Sequence, residues 1–158
     1  MSKLIYCIYY ISFVIYPKSK IVASLFTMFN RLLFSIYISP QAKIHSSVIF
    51  CYQGLGIVIG GEVSIGKGTE IAQGVTLGGR FTEPREYDGN TQHWPMVGEN
   101  VFIGPNSVVI GPVLIGDSVI IGANSTVIND CEHNSIYVGS PCRKIRKIKR
   151  RIVGDQYE

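Results

Sequence analysis

The stretch that decides the fold is VGENVFIGPNSVVIGPVLIGDSVIIGANSTV, residues 97–127. Its aliphatic residues recur every six positions, at Val97, Ile103, Val109, Ile115, Ile121 and Val127. The same period runs upstream through Ile59, Ile65, Ile71 and Leu77. An α-helix repeats its apolar face about every 3.6 residues and a strand every second residue, so neither produces this spacing. A period of six residues is typical of a solenoid of short repeated units.

A coil of short parallel strands joined by tight turns accounts for this period. Six residues form one side of a triangular prism, and three sides complete one turn. Each aliphatic residue then stacks on its equivalent in the next coil, about 4.8 Å away. Small or branched residues four positions later, such as Val63, Thr69 and Ser107, are expected inside the prism. Glycine often follows the aliphatic residue, where we expect it to adopt turn conformations that other residues avoid. The repeats predict three to four coils.

Composition and charge agree with one domain that has an ordered core. Of the 158 residues, 46% are hydrophobic and 16% are charged, which argues against disorder. The formal charge of +4 is uneven, because residues 1–142 carry eight Lys and Arg against nine Asp and Glu, whereas residues 143–158 carry seven against two. We therefore expect a basic C-terminal tail over residues 143–158, as a capping helix or a mobile segment. Apart from this basic tail, no feature of the sequence indicates nucleic-acid recognition.

Residues 1–38 form an apolar N-terminal segment. The apolar run from Leu4 to Tyr16 is 13 residues long, too short for a membrane-spanning helix of about 20 residues, and no signal-peptide cleavage site follows it. Two short helices that pack beneath the first coil or touch a membrane surface are expected. The four cysteines contain no CxxC pair and predict free thiols in a reducing compartment, which suggests a cytoplasmic protein.

The repeat occupies residues 39–142 and is interrupted over residues 79–95. Leu77 and Val97 are 20 residues apart where 18 would keep the phase, and the residues between them are polar and charged. We expect this segment to leave the prism as a loop, and long loops on rigid scaffolds often carry function. The loop contains His93, one of three histidines, beside Trp94, the only tryptophan.

The repeat, together with GLGIVIG (54–60), GVTLGG (74–79) and VGSPCR (138–143), resembles the hexapeptide-repeat family of left-handed β-helix acyltransferases. The motifs are similar to those of its serine acetyltransferase branch and of related sugar O-acetyltransferases. The resemblance implies an all-β, left-handed parallel β-helix that assembles as a homotrimer and transfers an acetyl group from acetyl-CoA. No metal is expected, because the three histidines lie 48 and 40 residues apart. A carbonic anhydrase with the same prism needs three histidines on zinc, and this chain has no close pair.

The same resemblance suggests roles for individual residues. These enzymes place a histidine just ahead of a Pro-x-Ile sequence, which makes His93 the candidate general base. Trp94 either stacks against a sugar or packs on the protein body or a neighbouring subunit. Arg80 and Arg85 are candidates for binding an anionic acceptor, although a solvated loop face would also explain them. The coenzyme is expected along small wall residues and the first cations of the tail. These predicted coenzyme-binding residues are Gly104, Gly122, Ala123, Gly139, Arg143 and Lys144.

One departure from the family bears on the acceptor. Serine acetyltransferases carry an Asp-His pair just before their Gly-Ile-Val-Ile segment, whereas this chain has Cys51, Tyr52 and Gln53 there. Their large acidic N-terminal helical domain is replaced here by the hydrophobic residues 1–38. The sequence therefore favours a hydroxyl of a bacterial surface polysaccharide or its lipid-linked precursor, with peripheral membrane contact through residues 1–38. The alternatives are serine O-acetylation in cysteine biosynthesis and a non-catalytic β-helix that binds a surface.

Overall fold

The computed structural model describes residues 2–79, 84–87 and 89–148. Two helices, α1 (Ser2–Ile15) and α2 (Lys20–Phe34), precede a series of short parallel strands that wind into a prism. The predicted fold class is confirmed: the chain is a left-handed parallel β-helix with short N-terminal helices. Among the described residues, no helix combines the length and the hydropathy that crossing a membrane requires.

The strands form five successive coils. The first coil has β1 (Tyr37–Ile38), β2 (Lys43–Ile44) and β3 (Ile49–Phe50), and the second has β4 (Val58–Ile59), β5 (Ser64–Ile65) and β6 (Glu70–Ile71). The third starts with β7 (Thr76–Gly78), continues through a hairpin of β8 (Arg85–Tyr87) and β9 (Asn90–Gln92), and ends with β10 (Met96–Val97) and β11 (Phe102–Ile103). The fourth has β12 (Val108–Ile110), β13 (Leu114–Ile115) and β14 (Ile120–Ile121). The fifth has β15 (Thr126–Val127) and β16 (Ser135–Gly139), after which β17 (Cys142–Lys147) turns back.

The prism has three faces. Face A is the sheet β1-β4-β7-β12-β15, face B is β2-β5-β10-β13, and face C is β3-β6-β11-β14-β16-β17. Each coil runs from face A to face B to face C. The chain therefore turns at an A–B corner, a B–C corner and a C–A corner in every coil. Equivalent residues of successive coils pair in parallel register, as Ile59 does with Leu77 and Leu77 with Val109.

The predicted inward residues form the core. The aliphatic residues at the six-residue period are buried, and so are the smaller residues four positions later, including Val63, Thr69 and Ser107. The inward hydroxyls are satisfied, because Thr69 Oγ1 donates to the carbonyl of Gly98 at 2.9 Å and Ser107 Oγ donates to that of Gly122 at 2.8 Å. Polar side chains are therefore accommodated inside the prism without unpaired donors.

The prediction of three to four coils is wrong, because the first coil is out of phase with the second and the last coil is irregular in sequence. Phe50 and Ile59 are nine residues apart, since a 3₁₀ turn over Cys51–Gly54 adds three residues at the C–A corner. In the fifth coil the inward positions are filled by Cys131, which bridges to Ile115, and Tyr137, which pairs with Ile121. Residues 129–134 thus belong to the fifth coil.

The prediction of a tail from residue 143 onward is also wrong for residues 143–147. These residues belong to β17, which pairs antiparallel with β16. An antiparallel strand at this position covers the open edge of the last parallel coil, and exposed edges are otherwise prone to pair with other chains. The rest of the predicted tail, residues 149–158, lies outside the described residues.

The prediction that the glycines after the inward aliphatic residues adopt turn conformations closed to other residues is wrong as well. None of Gly60, Gly66, Gly78, Gly98, Gly104, Gly116 and Gly122 has a positive φ angle. Most of them are needed because the next coil approaches closely. A Cβ on Gly66 would lie 2.6 Å from the Gly98 carbonyl oxygen, and one on Gly104 would lie 2.6 Å from the Ala123 nitrogen. The constraint is steric contact between coils and not backbone conformation.

Helix α1 covers the open end of the first coil. Tyr9 Oη donates to the carbonyl of Ala42 at 2.5 Å and accepts from the N–H of Ile44 at 3.3 Å. Ser2 Oγ accepts from the N–H of Phe50 at 3.1 Å. The side chains of α1 thus satisfy backbone groups that a preceding coil would otherwise bond. Packing beneath the first coil, one of the two roles expected for residues 1–38, is confirmed for α1.

Replacing Gly66 with alanine tests the contact between coils. We expect Gly66→Ala to lower the free energy of unfolding by about 1–3 kcal/mol, because the new methyl group meets backbone that cannot yield. Gly78→Ala is the matched control, since no atom lies within 4 Å of the position of its Cβ. Urea unfolding of both variants measures the difference, and equal stability of the two would contradict the steric explanation.

Removing one hydroxyl tests the cap formed by α1. We expect Tyr9→Phe to lower the free energy of unfolding by about 1–3 kcal/mol, because the Ala42 carbonyl and the Ile44 N–H lose a buried partner. Tyr10→Phe, on the exposed side of the same helix, should change it by less than about 0.5 kcal/mol. Thermal unfolding followed by circular dichroism distinguishes the two, and a neutral Tyr9→Phe would show that the cap does not depend on these bonds.

Candidate active site

The loop that interrupts the repeat leaves the prism at the A–B corner. Its described part contains the antiparallel hairpin of β8 and β9, which pairs with none of the three faces. Arg85 Nη1 donates to Asp130 Oδ2 in the fifth coil, and Asp130 Oδ1 accepts from the N–H of Leu114 at 2.9 Å. The hairpin is therefore tied to the prism two coils beyond the point where the loop begins.

This ion pair changes the interpretation of Arg85. The hydrogen bond to Asp130 raises the pKa of the Arg85 guanidinium, so the charge is held by a partner within the chain. The predicted role of Arg85 in binding an anionic acceptor has no support from this geometry. Arg80, the other predicted acceptor residue, lies outside the described residues.

Trp94 packs against the protein body, which was one of its expected roles. A Cβ on Gly61 would lie 1.9 Å from Trp94 Cε2, and Cβ atoms on Gly60 and Gly79 would lie 2.8 Å and 2.9 Å from other atoms of the indole. The ring thus occupies the space that three glycines leave open at the A–B corner, and it joins the hydrophobic core. The indole is partly buried, which limits the surface left for stacking a sugar.

His93 is held by this packing but keeps an exposed side chain. It directly precedes Trp94, and its carbonyl oxygen lies 3.1 Å from the position of a Cβ on Gly79. The backbone is therefore fixed at the corner while the imidazole remains open to solvent. A general base needs a held backbone and an accessible side chain, and the placement of His93 is compatible with its predicted role.

The other two histidines are engaged in turns of the B–C corner. His45 Nδ1 lies 2.8 Å from Ser47 Oγ and accepts from the Ser47 N–H. His133 Nδ1 accepts from the N–H of Asp117 at 2.8 Å. Within the described part of the chain, no group of three His, Cys, Asp or Glu residues could hold a metal ion.

The predicted coenzyme-binding residues of the coil wall come together at the C–A corner. Gly104, Gly122 and Gly139 belong to the third, fourth and fifth coils, and Ala123 stacks on Gly104. Their small size has a structural cause of its own, since a Cβ on Gly122 would lie 2.7 Å from Val138 Cγ1. Gly104 is buried beneath Ala123, so the small residues that face outward at this corner are Ala123, Gly139 and the half-buried Gly122.

Arg143 and Lys144, the two cations predicted to bind the coenzyme, differ in whether a carboxylate already pairs with their charge. Arg143 pairs in register with Val138 next to the C–A corner, and its exposed side chain donates only to the carbonyl of Cys142 among the described residues. Lys144 binds Glu132 at 2.5 Å, and this partner lowers the pKa of the Glu132 carboxyl. Arg143 remains available for a phosphate, whereas the charge of Lys144 is already paired.

One chain does not bring His93 and the coil wall together. His93 lies at the A–B corner and the wall at the C–A corner, so the width of face A separates them. One side of the prism is six residues long, which is at most about 20 Å when fully extended, whereas reacting groups must approach to about 3 Å. The two halves of the predicted site can meet only if another copy of the chain supplies one of them.

The sequence indicated only a departure from the family at Cys51–Gly54, whereas the structure has a 3₁₀ turn there. Tyr52 and Gln53 both have positive φ angles, 48° and 60°, which are unfavourable for residues with side chains. Gly54 packs against Ile36, and Tyr52 is 75% exposed at the C–A corner. The phase shift between Phe50 and Ile59 was the available signal of an insertion there.

Cys51 does not provide a reactive thiolate at this turn. Burial and the nearby Glu70 raise the pKa of its thiol, so the neutral form dominates near neutral pH. Cys131 is similar, because burial raises its pKa to about 12. All four cysteines are free in the structure, as predicted.

Comparison with known proteins finds a transferase family and relatives that are named serine acetyltransferases. The model of the family "Bacterial transferase hexapeptide (six repeats)" matches residues 95–129. The chain is 36% identical over 139 residues to a serine acetyltransferase of Staphylococcus xylosus, and 37% identical over 112 residues to a probable serine acetyltransferase 2 of Oryza sativa subsp. japonica. These alignments cover 87% and 71% of this chain, and 61% and 30% of the relatives.

Solved structures show the same likeness. A serine acetyltransferase in complex with cysteine superposes with a TM-score of 0.78 at 31% identity, covering 88% of this chain and 55% of the other. A serine acetyltransferase in complex with CoA gives a TM-score of 0.75 at 31% identity, covering 87% and 54%. The chain therefore spans little more than half the length of the structures and about three fifths of the first curated relative.

Truncating Trp94 tests whether it holds the corner. We expect Trp94→Ala to lower the free energy of unfolding by about 2 kcal/mol, less than the 3–5 typical of a fully buried tryptophan, because the indole is only partly buried. Tyr87→Ala on the exposed hairpin serves as the control. If urea unfolding finds Trp94→Ala as stable as this control, the indole does not support the corner.

Proposed function

Because the chain belongs to the hexapeptide-repeat transferases, we propose that it is an acetyl-CoA-dependent acetyltransferase with serine as its first candidate acceptor. The observation that carries this proposal is the likeness to serine acetyltransferases over most of the chain, at 36% identity to the relative from Staphylococcus xylosus. One structural relative is described as a complex with CoA, and the stacked glycines of the C–A corner suit a ligand of that shape.

His93 is the proposed general base. Its imidazole takes the proton of the acceptor hydroxyl while the hydroxyl oxygen attacks the thioester carbonyl. The carbon–sulfur bond then breaks, and His93 returns the proton to the departing thiolate, so that an acetyl ester and a free thiol are formed. Trp94 positions His93 through the packing at the A–B corner and does not itself need to touch the acceptor.

The coenzyme-binding role of the C–A corner rests on size and charge. Ala123 and Gly139 are exposed and Gly122 is half-buried, so their backbone is open to the pantetheine arm, whereas Gly104 is buried beneath Ala123 and is a weaker candidate. Arg143 offers a guanidinium for a phosphate. Lys144 is a weaker candidate because it is paired with Glu132. Since His93 lies at a different corner, we propose a homotrimer in which the base of one copy meets the wall of its neighbour.

A glycan hydroxyl is the second candidate acceptor, favoured by one observation. At the position where the resemblance implies an Asp-His pair, the chain has the strained turn of Cys51, Tyr52 and Gln53. The preference for a glycan that the sequence suggested finds no support among the relatives, which are serine acetyltransferases. We also propose a cytoplasmic location, consistent with free cysteines, and a peripheral membrane contact through residues 1–38.

One assay tests both the reaction and the acceptor. Thiol release from acetyl-CoA is measured with serine, with bacterial oligosaccharides, and with neither. His93→Ala should lower kcat by about 10²–10⁴-fold, because only the proton transfer is lost, while binding of CoA stays nearly unchanged. His45→Ala is the matched control, since this exposed histidine is occupied with Ser47.

The outcomes separate the alternatives. Turnover with serine that depends on His93 supports the proposal, and turnover with oligosaccharides alone shifts the acceptor to a glycan. If His93→Ala turns over like the wild type, another residue is the base. The absence of thiol release above hydrolysis with every acceptor, together with no binding of CoA, would favour a non-catalytic β-helix.

A further inference from the structure

Helix α2 has its apolar side facing outward. Its buried residues are Ala23, Thr27 and Asn30, which are small or polar. Seven large apolar residues of the same helix are 40–78% exposed, namely Ile21, Val22, Leu25, Met28, Phe29, Leu32 and Leu33. Residues 21, 25, 28 and 32 are spaced by four, three and four, which places them on one stripe. A helix on a water-soluble core shows the opposite arrangement.

The contact between α1 and α2 is made by hydrogen bonds. Ser12 Oγ lies 2.9 Å from the Ala23 carbonyl and 3.1 Å from Thr27 Oγ1, and Asn30 Nδ2 donates to the carbonyl of Ile5 at 3.2 Å. Small residues and interhelical hydrogen bonds are the means by which helices associate where their outer surface contacts lipid. The seven exposed large side chains of α2 take no part in these hydrogen bonds.

Charge identifies the kind of surface that this stripe fits. Residues 1–61 contain five cations, Lys3, Lys18, Lys20, Arg31 and Lys43, and no Asp or Glu. Lys20 and Arg31 line an open groove of about 390 Å³ between α2 and the first coil, next to Tyr37. Neither forms an ion pair with any described residue. Guanidinium and ammonium groups beside an exposed apolar stripe complement the phosphates of anionic lipids.

A two-fold contact with a second copy fits this surface less well. Such an isologous interface, unlike the heterologous contacts of the proposed trimer, would bring the same residues of both copies together, and the cations of one copy would then meet the cations of the other without a carboxylate nearby. The helices also exclude a span, since 14 and 15 residues reach only about 21–23 Å at 1.5 Å per residue, less than the hydrocarbon thickness of about 30 Å.

We propose that α2 docks on a membrane rich in anionic phospholipid, with the stripe of Ile21 to Leu33 in the interface and lipid phosphates at Lys20 and Arg31. The prism then stands on the membrane through its N-terminal end, because α1 joins α2 to the first coil. This inference does not depend on the proposed transfer reaction, and its failure would leave that reaction untouched.

Co-sedimentation of the full chain with vesicles tests the proposal. Wild-type protein should sediment with vesicles of phosphatidylglycerol mixed with phosphatidylcholine, and more weakly with phosphatidylcholine alone. Leu32→Glu should reduce partitioning by about tenfold or more, because it places a carboxylate in the apolar stripe. Ile49→Glu, at an exposed apolar position of β3, is the matched control and should bind like the wild type.

A second variant separates the contribution of charge. Arg31→Gln should reduce binding to the phosphatidylglycerol vesicles by about fivefold, with little effect on phosphatidylcholine vesicles. Circular dichroism confirms that each variant is folded, which is expected because the substituted side chains are exposed.

Three results would overturn the proposal. The first is wild-type protein that stays in solution with both kinds of vesicle, and the second is Leu32→Glu that partitions like the wild type. The third is self-association in sedimentation velocity without lipid that Leu32→Glu abolishes, in the absence of vesicle binding, because a second copy would then be the occupant of the stripe.

Discussion

Successive coils of this β-helix lie so close together at their corners that the chain has room there for a backbone but often not for a Cβ atom. The Cβ positions of Gly66, Gly98 and Gly104 all fall within 3 Å of backbone atoms of the following coil. This contact fixes the register of all three faces, because a slip by one residue would move a side chain into that space. It also forces any longer insertion to leave the prism outward at a corner.

Both insertions obey this constraint, and each occupies a different corner. The turn over Cys51–Gly54 leaves at the C–A corner, and the loop over residues 79–95 leaves at the A–B corner. The described part of the loop is held by side chains, since Trp94 fills the space over Gly60 and Gly61 and Arg85 reaches Asp130. A rigid repeat thus presents two irregular segments at defined places, separated by the width of one face.

The regular part of the structure could be predicted from the sequence because every regular coil repeats the same environment. An aliphatic residue at the period of six meets an aliphatic residue above and below, so Ile59 to Val127 were assigned to the core correctly. The first and fifth coils were missed because the inserted turn shifts the phase and because Cys131 and Tyr137 replace aliphatics. The contacts of Trp94 with Gly60 and Gly61 and of Arg85 with Asp130 could not be predicted, since these partners lie more than 30 residues away along the chain and meet only through the winding of the coils.

The N-terminal helices show the limit of sequence interpretation most clearly. An apolar run indicates burial, but it does not tell which side of a helix is buried or by what. In α1 the first coil supplies the partner, and the backbone groups of Ala42 and Ile44 require the hydroxyl of Tyr9. In α2 the inner side is occupied by Ala23, Thr27 and Asn30, which leaves the larger side chains outside. Because the same inner residues make the hydrogen bonds to α1, turning the stripe inward would break the helix pair. The outward stripe is therefore a consequence of how the cap is built, and a surface that covers it can do so without any change in the fold.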